Sequence, residues 1–385
     1  MKDRPRLLYL ITEDWYFWSH RLDLARIAAQ QGFDVSLATR VTDHGERIVR
    51  EGIRLFPIRL FRRSWNPLAE LASIYELVRL YQRYRPMIVH HVALKPILYG
   101  SFAAWWVGVP VVVNAFAGLG YTFTDETRHG GFFGACLRRA LATALSWSNS
   151  LVIFQNQDDC DLMVHENVVA RERTRIIPGS GIDTKRFDVH PPASGAPIVM
   201  LASRMLWDKG IGEFVEAARR LKEKGLKARF VLVGRCDEHN PAAIDENQLR
   251  RWVDEQVIEW WGHQEDMVHA LSAAALVVLP SYREGLPKVL LEGAACGRPL
   301  VATDVPGCRE IVTHGVNGFL VPPRDPVALA AAIDALIQDS SLRVTMGNAA
   351  RETVIRSFST ERVAGQVIAL YHELLVGRQD AKRTV

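Results

Sequence analysis

The sequence predicts an α/β protein built from two doubly wound parallel-sheet domains, and three observations carry that expectation. Short apolar runs alternate with amphipathic helical runs along both halves of the 385 residues, the pattern of strands joined by crossover helices. The length suits two domains of ordinary size, each able to bury a core. The alternation breaks once, at HPPASGAPIVML, where proline and glycine punctuate the chain before it restarts. The expected boundaries are residues 1–188, 189–360, and 361–385 as a helix packing back with a frayed tail.

In the first half the strand-like runs are LLYLIT, DVSLATR, IRLFPIRL, MIVHH, VPVVVNAF, LVIFQN and RIIPGSGID. Between them, HRLDLARIAAQQG sets Leu22, Leu24, Ile27 and Ala28 near one helical face and stops at Gly32. GERIVREG is a short helix and residues 68–84 a long amphipathic one. In the second half IVMLASR, ARFVLVG, VIEWWG, LVVLPS, PLVATD and NGFLV read as strands. Helices are expected at 212–224 and 241–256, after Pro287, and on to about residue 375. Two such domains facing each other leave a cleft at the C-terminal ends of both sheets, where open α/β sheets bind ligands.

The apolar fraction of 48% and charged fraction of 23% are those of a globular protein in water. The five cysteines are scattered without C-x-x-C spacing, which argues for a reducing compartment and against a disulfide framework or zinc site. At the N-terminus only residues 7–12 are uninterruptedly apolar, too short for a signal peptide or a membrane span. The expected location is therefore the cytoplasm. Residues 1–140 hold 19 Lys/Arg against 12 Asp/Glu, and the remainder 28 against 31. Arg59, Arg62, Arg63, Arg79, Arg83 and Arg85 concentrate the surplus, as a solvated helix surface or as a patch for acidic lipid or diphosphate. No nucleic-acid-binding module accompanies these cations, so nucleic acid is not an expected partner.

Residues 276–297, LVVLPSYREGLPKVLLEGAACG, organise the second half. A buried strand feeds a turn with Glu284 and Gly285, then a helix opened by Pro287. The unpaired first-turn amides and the helix dipole favour an anion there. Glu284 and Glu292 flank that anion site, so they must hold something else, such as hydroxyls. After the first strand of this half come Arg204 and Lys209, expected at the same sheet edge and able with the amides to clamp a diphosphate. A Walker-type P-loop is absent, since Gly210 and Gly212 follow the lysine. The acidic run QDDCD after LVIFQN is read as helix capping, not metal ligation, and no metal is expected.

SRMLWDKG, PSYREGLPKVLLEGAACGRPLVATDVPGCREIV and NGFLV resemble the family-4 retaining glycosyltransferases, of GT-B architecture: two Rossmann-like domains facing across a cleft. The resemblance implies that Arg204 and Lys209 hold the donor diphosphate, that Glu284 contacts hydroxyls of the transferred sugar, and that Glu292 contacts the nucleoside ribose. The segment Gly285, Leu286, Pro287 and Lys288 would line the donor site, the backbone N–H groups near it facing the diphosphate and sugar. The loop with His263 and Gln264 would hold the base. The second domain would then bind a nucleotide sugar, UDP being implied over GDP, with no cofactor.

More loosely, HRLDLARIAAQQGFDVSLAT, VHHVALKPILYG and IPGSGID resemble the transferases that extend undecaprenyl-diphosphate-linked glycans at the bacterial inner membrane. The implied acceptor is a polyprenyl-diphosphate-linked sugar, docked on the first domain. Where many relatives carry a glycine pair after the first strand, this chain has EDWYFWSH. Where they carry a histidine after the fifth, it has NAFAGLGYT, with Gly118 and Gly120 admitting close backbone approach. His20, His90 and His91 remain as candidates against a structural role.

Aromatic clusters at Trp15–Trp18, Trp105/Trp106 and Phe132/Phe133, with the basic surplus, suit peripheral attachment to the inner face of the membrane. Phe102, Trp105 and Trp106, however, read first as core residues of a helix. Residues 121–147 are too polar to span a bilayer. Alternatives are an epimerase or phosphorylase of related architecture, a transferase with a soluble acceptor, and a nucleotide-sugar sensor.

Overall fold

The computed structural model describes residues 4–61, 66–119, 132–147, 149–237 and 240–383, the side chains of 132, 133 and 379–383 excepted. Arg62, Arg63, Gly120 and the first part of the 121–147 segment lie outside the described residues, as do the Phe132 and Phe133 side chains. The chain divides into two units, Met1–Gly181 with Thr360–Val385, and Ile182–Ser359.

The first unit is built on strands β1 (Arg6–Glu13), β2 (Asp34–Arg40), β3 (Arg54–Pro57), β4 (Ile88–Val92), β5 (Val111–Ala115), β6 (Ser150–Phe154) and β7 (Thr174–Ile176), in the order β3-β2-β1-β4-β5-β6-β7. Every pairing is parallel. β4, β5 and β6 are buried along their whole length, as a sheet with both faces covered requires. Strand order reverses between β1 and β4, which opens the crevice where such sheets take ligands.

The second unit repeats the plan with β8 (Ile198–Ala202), β9 (Arg229–Val233), β10 (Glu259–Trp260), β11 (Leu276–Leu279), β12 (Leu300–Thr303) and β13 (Gly318–Val321). The order is β10-β9-β8-β11-β12-β13, again all parallel, with the reversal between β8 and β11.

Several expectations need correction. The boundary falls at Gly181/Ile182 and not at 188/189, because Ile182 donates its N–H to the Phe358 carbonyl at 2.9 Å, and Ile182 and Phe187 join the second unit's core. EDWYFWSH, for which the sequence gives no element, holds a helix, Asp14–His20, broken at Arg21 before the Leu22–Gln30 helix. Asp14 ties it down by accepting from Thr42 and His44. The helix expected at 241–256 is shorter, Glu246–Asp254, because the Asp245 side chain caps it by accepting from the Asn247 N–H. Phe102, Trp105 and Trp106 are exposed on the Leu94–Val107 helix, whose buried face is Ile97, Gly100, Ser101, Ala103 and Ala104. The last helix, Thr360–Arg383, remains helical well past residue 375.

Candidate active site

The turn after β8 carries Lys209 to the segment after β11. Trp207–Lys209 is a single 3-10 turn ended by Gly210 at φ 70°. A Cβ at Gly210 would stand 2.0 Å from the Pro280 carbonyl oxygen, so only glycine allows this approach. The Tyr282 N–H donates to the Asp208 carbonyl at 2.9 Å and locks the two segments together. Lys209 Nζ then lies 2.5 Å from Glu284 Oε1, with the side chains 20% and 12% exposed. Ser281 Oγ donates to the same oxygen at 2.7 Å, and Thr303 Oγ1, at the end of β12, donates to the Ser281 carbonyl. Glu284 is thus aimed by three elements around the β8/β11 reversal.

Two further contacts stiffen this turn. Tyr282 OH donates to Glu213 Oε1 at 2.7 Å, and burial with that carboxylate pushes the phenol up to about 12. The Arg324 guanidinium lies 4.6 Å from the Tyr282 ring centroid. Burial raises the Asp208 carboxyl above its ordinary range, opposed by Lys209 and Arg324.

Arg204, beyond β8, donates from Nη1 to Asp237 Oδ2 at 2.8 Å in the loop after β9. The β10 loop is held by Gly234 N–H donating to the Gly262 carbonyl at 2.7 Å. In it, Gln264 Nε2 donates to the Trp261 carbonyl at 2.7 Å, and His263 Nε2 lies 3.4 Å from Arg235 Nη2. Gly285 and Leu286 lead to Pro287, the N-cap of the Lys288–Ala295 helix, so the first-turn amides open toward the Glu284 turn. Glu292 is buried one turn in, 3.3 Å from Lys288 Nζ. Burial raises its carboxyl above the ordinary value, opposed by Lys288.

The sequence divides the cations and the acids between two tasks, but the structure pairs them: Lys209 with Glu284, Arg204 with Asp237, and Lys288 with Glu292. Asp237, Ser281, Tyr282 and Glu213 escaped the sequence reading. Ser281 and Tyr282 stand in the motif already singled out, and β9's place beside β8 would have pointed to Asp237.

In the first unit Gly118 follows β5 at φ 109°. His20 stacks on Tyr16 at 4.3 Å, with Nδ1 2.6 Å from Ser19 Oγ. His91 is a core residue: Nε2 lies 3.0 Å from Tyr81 OH and Nδ1 2.8 Å from Asn114 Oδ1, and burial lowers its pKa to about 4. His90 Nδ1 lies 2.5 Å from Tyr371 OH. In the acidic run, Asn156 caps the Gln157–His165 helix by accepting from the Asp159 N–H. Among the described residues no three His, Cys, Asp or Glu side chains gather as metal ligands.

Two Rossmann-like parallel sheets, with cations, carboxylates and a helix N-terminus at the second reversal, define the GT-B class of sugar transferases. Residues 6–156 match the family model described as "Glycosyl transferase 4-like" and residues 196–339 the one described as "Glycosyl transferases group 1"; the chain belongs to these glycosyltransferases. It is 25% identical over 372 residues to the N,N'-diacetylbacillosaminyl-diphospho-undecaprenol alpha-1,3-N-acetylgalactosaminyltransferase of Campylobacter jejuni, covering 92% of this chain and 95% of that one. It is 22% identical over 367 residues to the UDP-Gal:alpha-D-GlcNAc-diphosphoundecaprenol alpha-1,3-galactosyltransferase of Escherichia coli, covering 90% of each. Anabaena HepE, solved in complex with UDP and glucose, shares the fold with a TM-score of 0.77 at 19% identity, covering 95% of this chain and 99% of that one.

Proposed function

We propose that this glycosyltransferase moves an N-acetylhexosamine or hexose from a UDP-sugar to a polyprenyl-diphosphate-linked glycan, with retention at the anomeric carbon. The observation that carries the site assignment is Glu284, held by Lys209 and Ser281 beside a helix N-terminus. Arg204 and Lys209 take the leaving diphosphate with the amides of Gly285, Leu286 and Lys288, groups already oriented before charge develops. Glu284 holds a sugar hydroxyl, Glu292 the ribose, and the His263–Gln264 loop the base. The Campylobacter and Escherichia relatives, whose names give diphospho-undecaprenol substrates, support the acceptor class. The UDP complex of HepE supports the nucleotide.

Retention proceeds at the front face. The bond from the anomeric carbon to the diphosphate oxygen breaks, the acceptor oxygen bonds on the same side, and its proton passes to the departing phosphate. With Glu284 assigned to a sugar hydroxyl and Glu292 to the ribose, neither serves as the nucleophile of a double displacement. Trapping a glycosyl-enzyme on either carboxylate overturns this route. No divalent metal takes part, so a chelator leaves the rate unchanged.

The enzyme works from the cytoplasm on the inner face of the membrane. Among the described residues no helix is long and apolar enough to cross a bilayer. The Pro67–Tyr84 helix exposes Leu68, Leu71 and Tyr75, and the Leu94–Val107 helix exposes Trp105 and Trp106. Arg54, Arg79 and Arg83 line a groove of about 560 Å³ together with Phe56, Ile58 and Leu80. Cations among apolar side chains favour an anionic lipid surface. High salt should strip the protein from membranes, whereas release by detergent alone contradicts peripheral attachment.

The deciding assay offers a panel of UDP- and GDP-sugars to polyprenyl-diphosphate-linked acceptors, with products read by mass spectrometry. Product from a UDP-sugar, lost in Glu284→Gln, supports the assignment. An isomer or sugar phosphate formed without acceptor, or equal turnover of a soluble glycan, refutes it.

A further inference from the structure

In the first unit Arg21 and, on β4, His90 line one small cavity with Phe116, Gln155 and Gly179, which follow β5, β6 and β7. Arg21 is 4% exposed and His90 1%. Among the described residues neither Arg21 Nε nor His90 Nε2 has a hydrogen-bond partner, and Arg21 Nη1 donates to the Gly179 carbonyl at 3.4 Å. Arg21 also has no carboxylate partner among the described residues. A guanidinium buried without a counter-charge is costly and is tolerated where an anion arrives to meet it.

His90 is prepared for the same role. Its Nδ1 faces Tyr371 OH, which also lies 3.2 Å from Tyr9 OH. With Tyr371 donating to Nδ1, Nε2 carries the proton and presents a donor to the cavity. Burial, with the Arg21 charge and His91, holds His90 well below the ordinary imidazole range, so the ring is neutral. The cavity admits about 10 Å³, near the roughly 10–15 Å³ that one water-sized atom needs. It suits a single oxygen of a larger group whose remainder lies outside.

We propose that Arg21 and His90 form an anion subsite that receives a phosphoryl oxygen. Arg21 Nε–H and His90 Nε2–H both donate to it, and Tyr371 is a positioning residue that sets the His90 tautomer. The inference rests on the transferase reading only for the source of the phosphoryl group: acceptor diphosphate, UDP-sugar or free phosphate.

The test compares the full-length protein with Arg21→Met, Arg21→Lys and His90→Phe. The readouts are Tm with and without inorganic phosphate, and KM for the UDP-sugar and for a polyprenyl-diphosphate-linked acceptor. Removing an uncompensated buried cation should keep or raise the phosphate-free Tm in Arg21→Met. The KM for acceptor should rise about tenfold or more, the loss of one charge-assisted hydrogen bond, with partial recovery in Arg21→Lys and a smaller rise in His90→Phe. A rise confined to the UDP-sugar KM assigns the oxygen to the donor. A phosphate-induced rise in Tm, lost in Arg21→Met and unaccompanied by KM changes, assigns it to free phosphate. Unchanged KM values in both Arg21→Met and His90→Phe, with an unchanged phosphate response, overturn the proposal and leave the cavity to a water. A lowered phosphate-free Tm in Arg21→Met also overturns it, because it makes Arg21 structural. If wild-type protein turns over no sugar, the transferase reading fails, while the phosphate-dependent Tm still decides the subsite.

Discussion

Lys209 and Glu284 are mostly sheltered from water, at 20% and 12% side-chain exposure, so their interaction is screened less than a surface pair. Removing either leaves the other uncompensated. Lys209→Ala should lower kcat/KM by about 10²–10³-fold, the loss typical of a preorganised electrostatic group. In a double-mutant cycle with Glu284→Gln the two losses should fall short of adding; strict additivity would show that the pair does not work as a unit. Glu292 gives a prediction of opposite sign for stability and function. Its folded-state pKa is raised from 4.5, burial outweighing Lys288, so ionising it costs stability as pH climbs from that value through the folded pKa. Glu292→Gln should therefore melt above wild type at pH 7, with the gap closing toward pH 4, while the KM for donor rises about tenfold as a charged hydrogen bond is lost. A Tm difference independent of pH refutes this account of Glu292.

The elements that carry these residues depend on a few close backbone approaches. At Gly210 the left-handed φ and the 2.0 Å approach to the Pro280 carbonyl act together. Gly210→Ala should destabilise the protein by about 2 kcal/mol or more, and should displace Lys209 from Glu284, cutting turnover further than the drop in Tm explains. Wild-type turnover in that variant would show that the turn does not aim the lysine. The apolar strands were legible in the sequence because sheets covered on both faces need continuous Val, Ile and Leu runs, such as VVVNA and LVVL. The Asp14–His20 helix was not legible. DWYFWSH has no helical apolar stripe, and what holds it is Asp14 accepting from Thr42 and His44, some thirty residues away.

For the molecule as a whole, the terminal helix Thr360–Arg383 matters more than its sequence position suggests. It puts Val363, Ala364, Val367, Ile368, Leu370 and Tyr371 into the first unit's core. At about 1.5–3 kcal/mol for each large apolar side chain, their removal outweighs much of the 5–15 kcal/mol of net stability usual for a domain. A chain ending at Ser359 should lose hydrogen-exchange protection across residues 1–181 while 182–359 stays protected. Unchanged protection in 1–181 would mean that its core closes without the helix.

From residue order alone came the two parallel sheets, the restart near residue 198, and the placing of Lys209 beside the Glu284 turn at one sheet edge. Each is a local or periodic property: burial on both faces, proline and glycine punctuation, and residues placed just beyond strand ends. Contacts between distant segments lay beyond it. Folding paired Lys209 with Glu284 and Arg204 with Asp237, enclosed Arg21 and His90 in one cavity, and returned Tyr371 to His90 across 281 residues. Those pairings follow from strand order and side-chain reach, which no periodicity in the chain encodes.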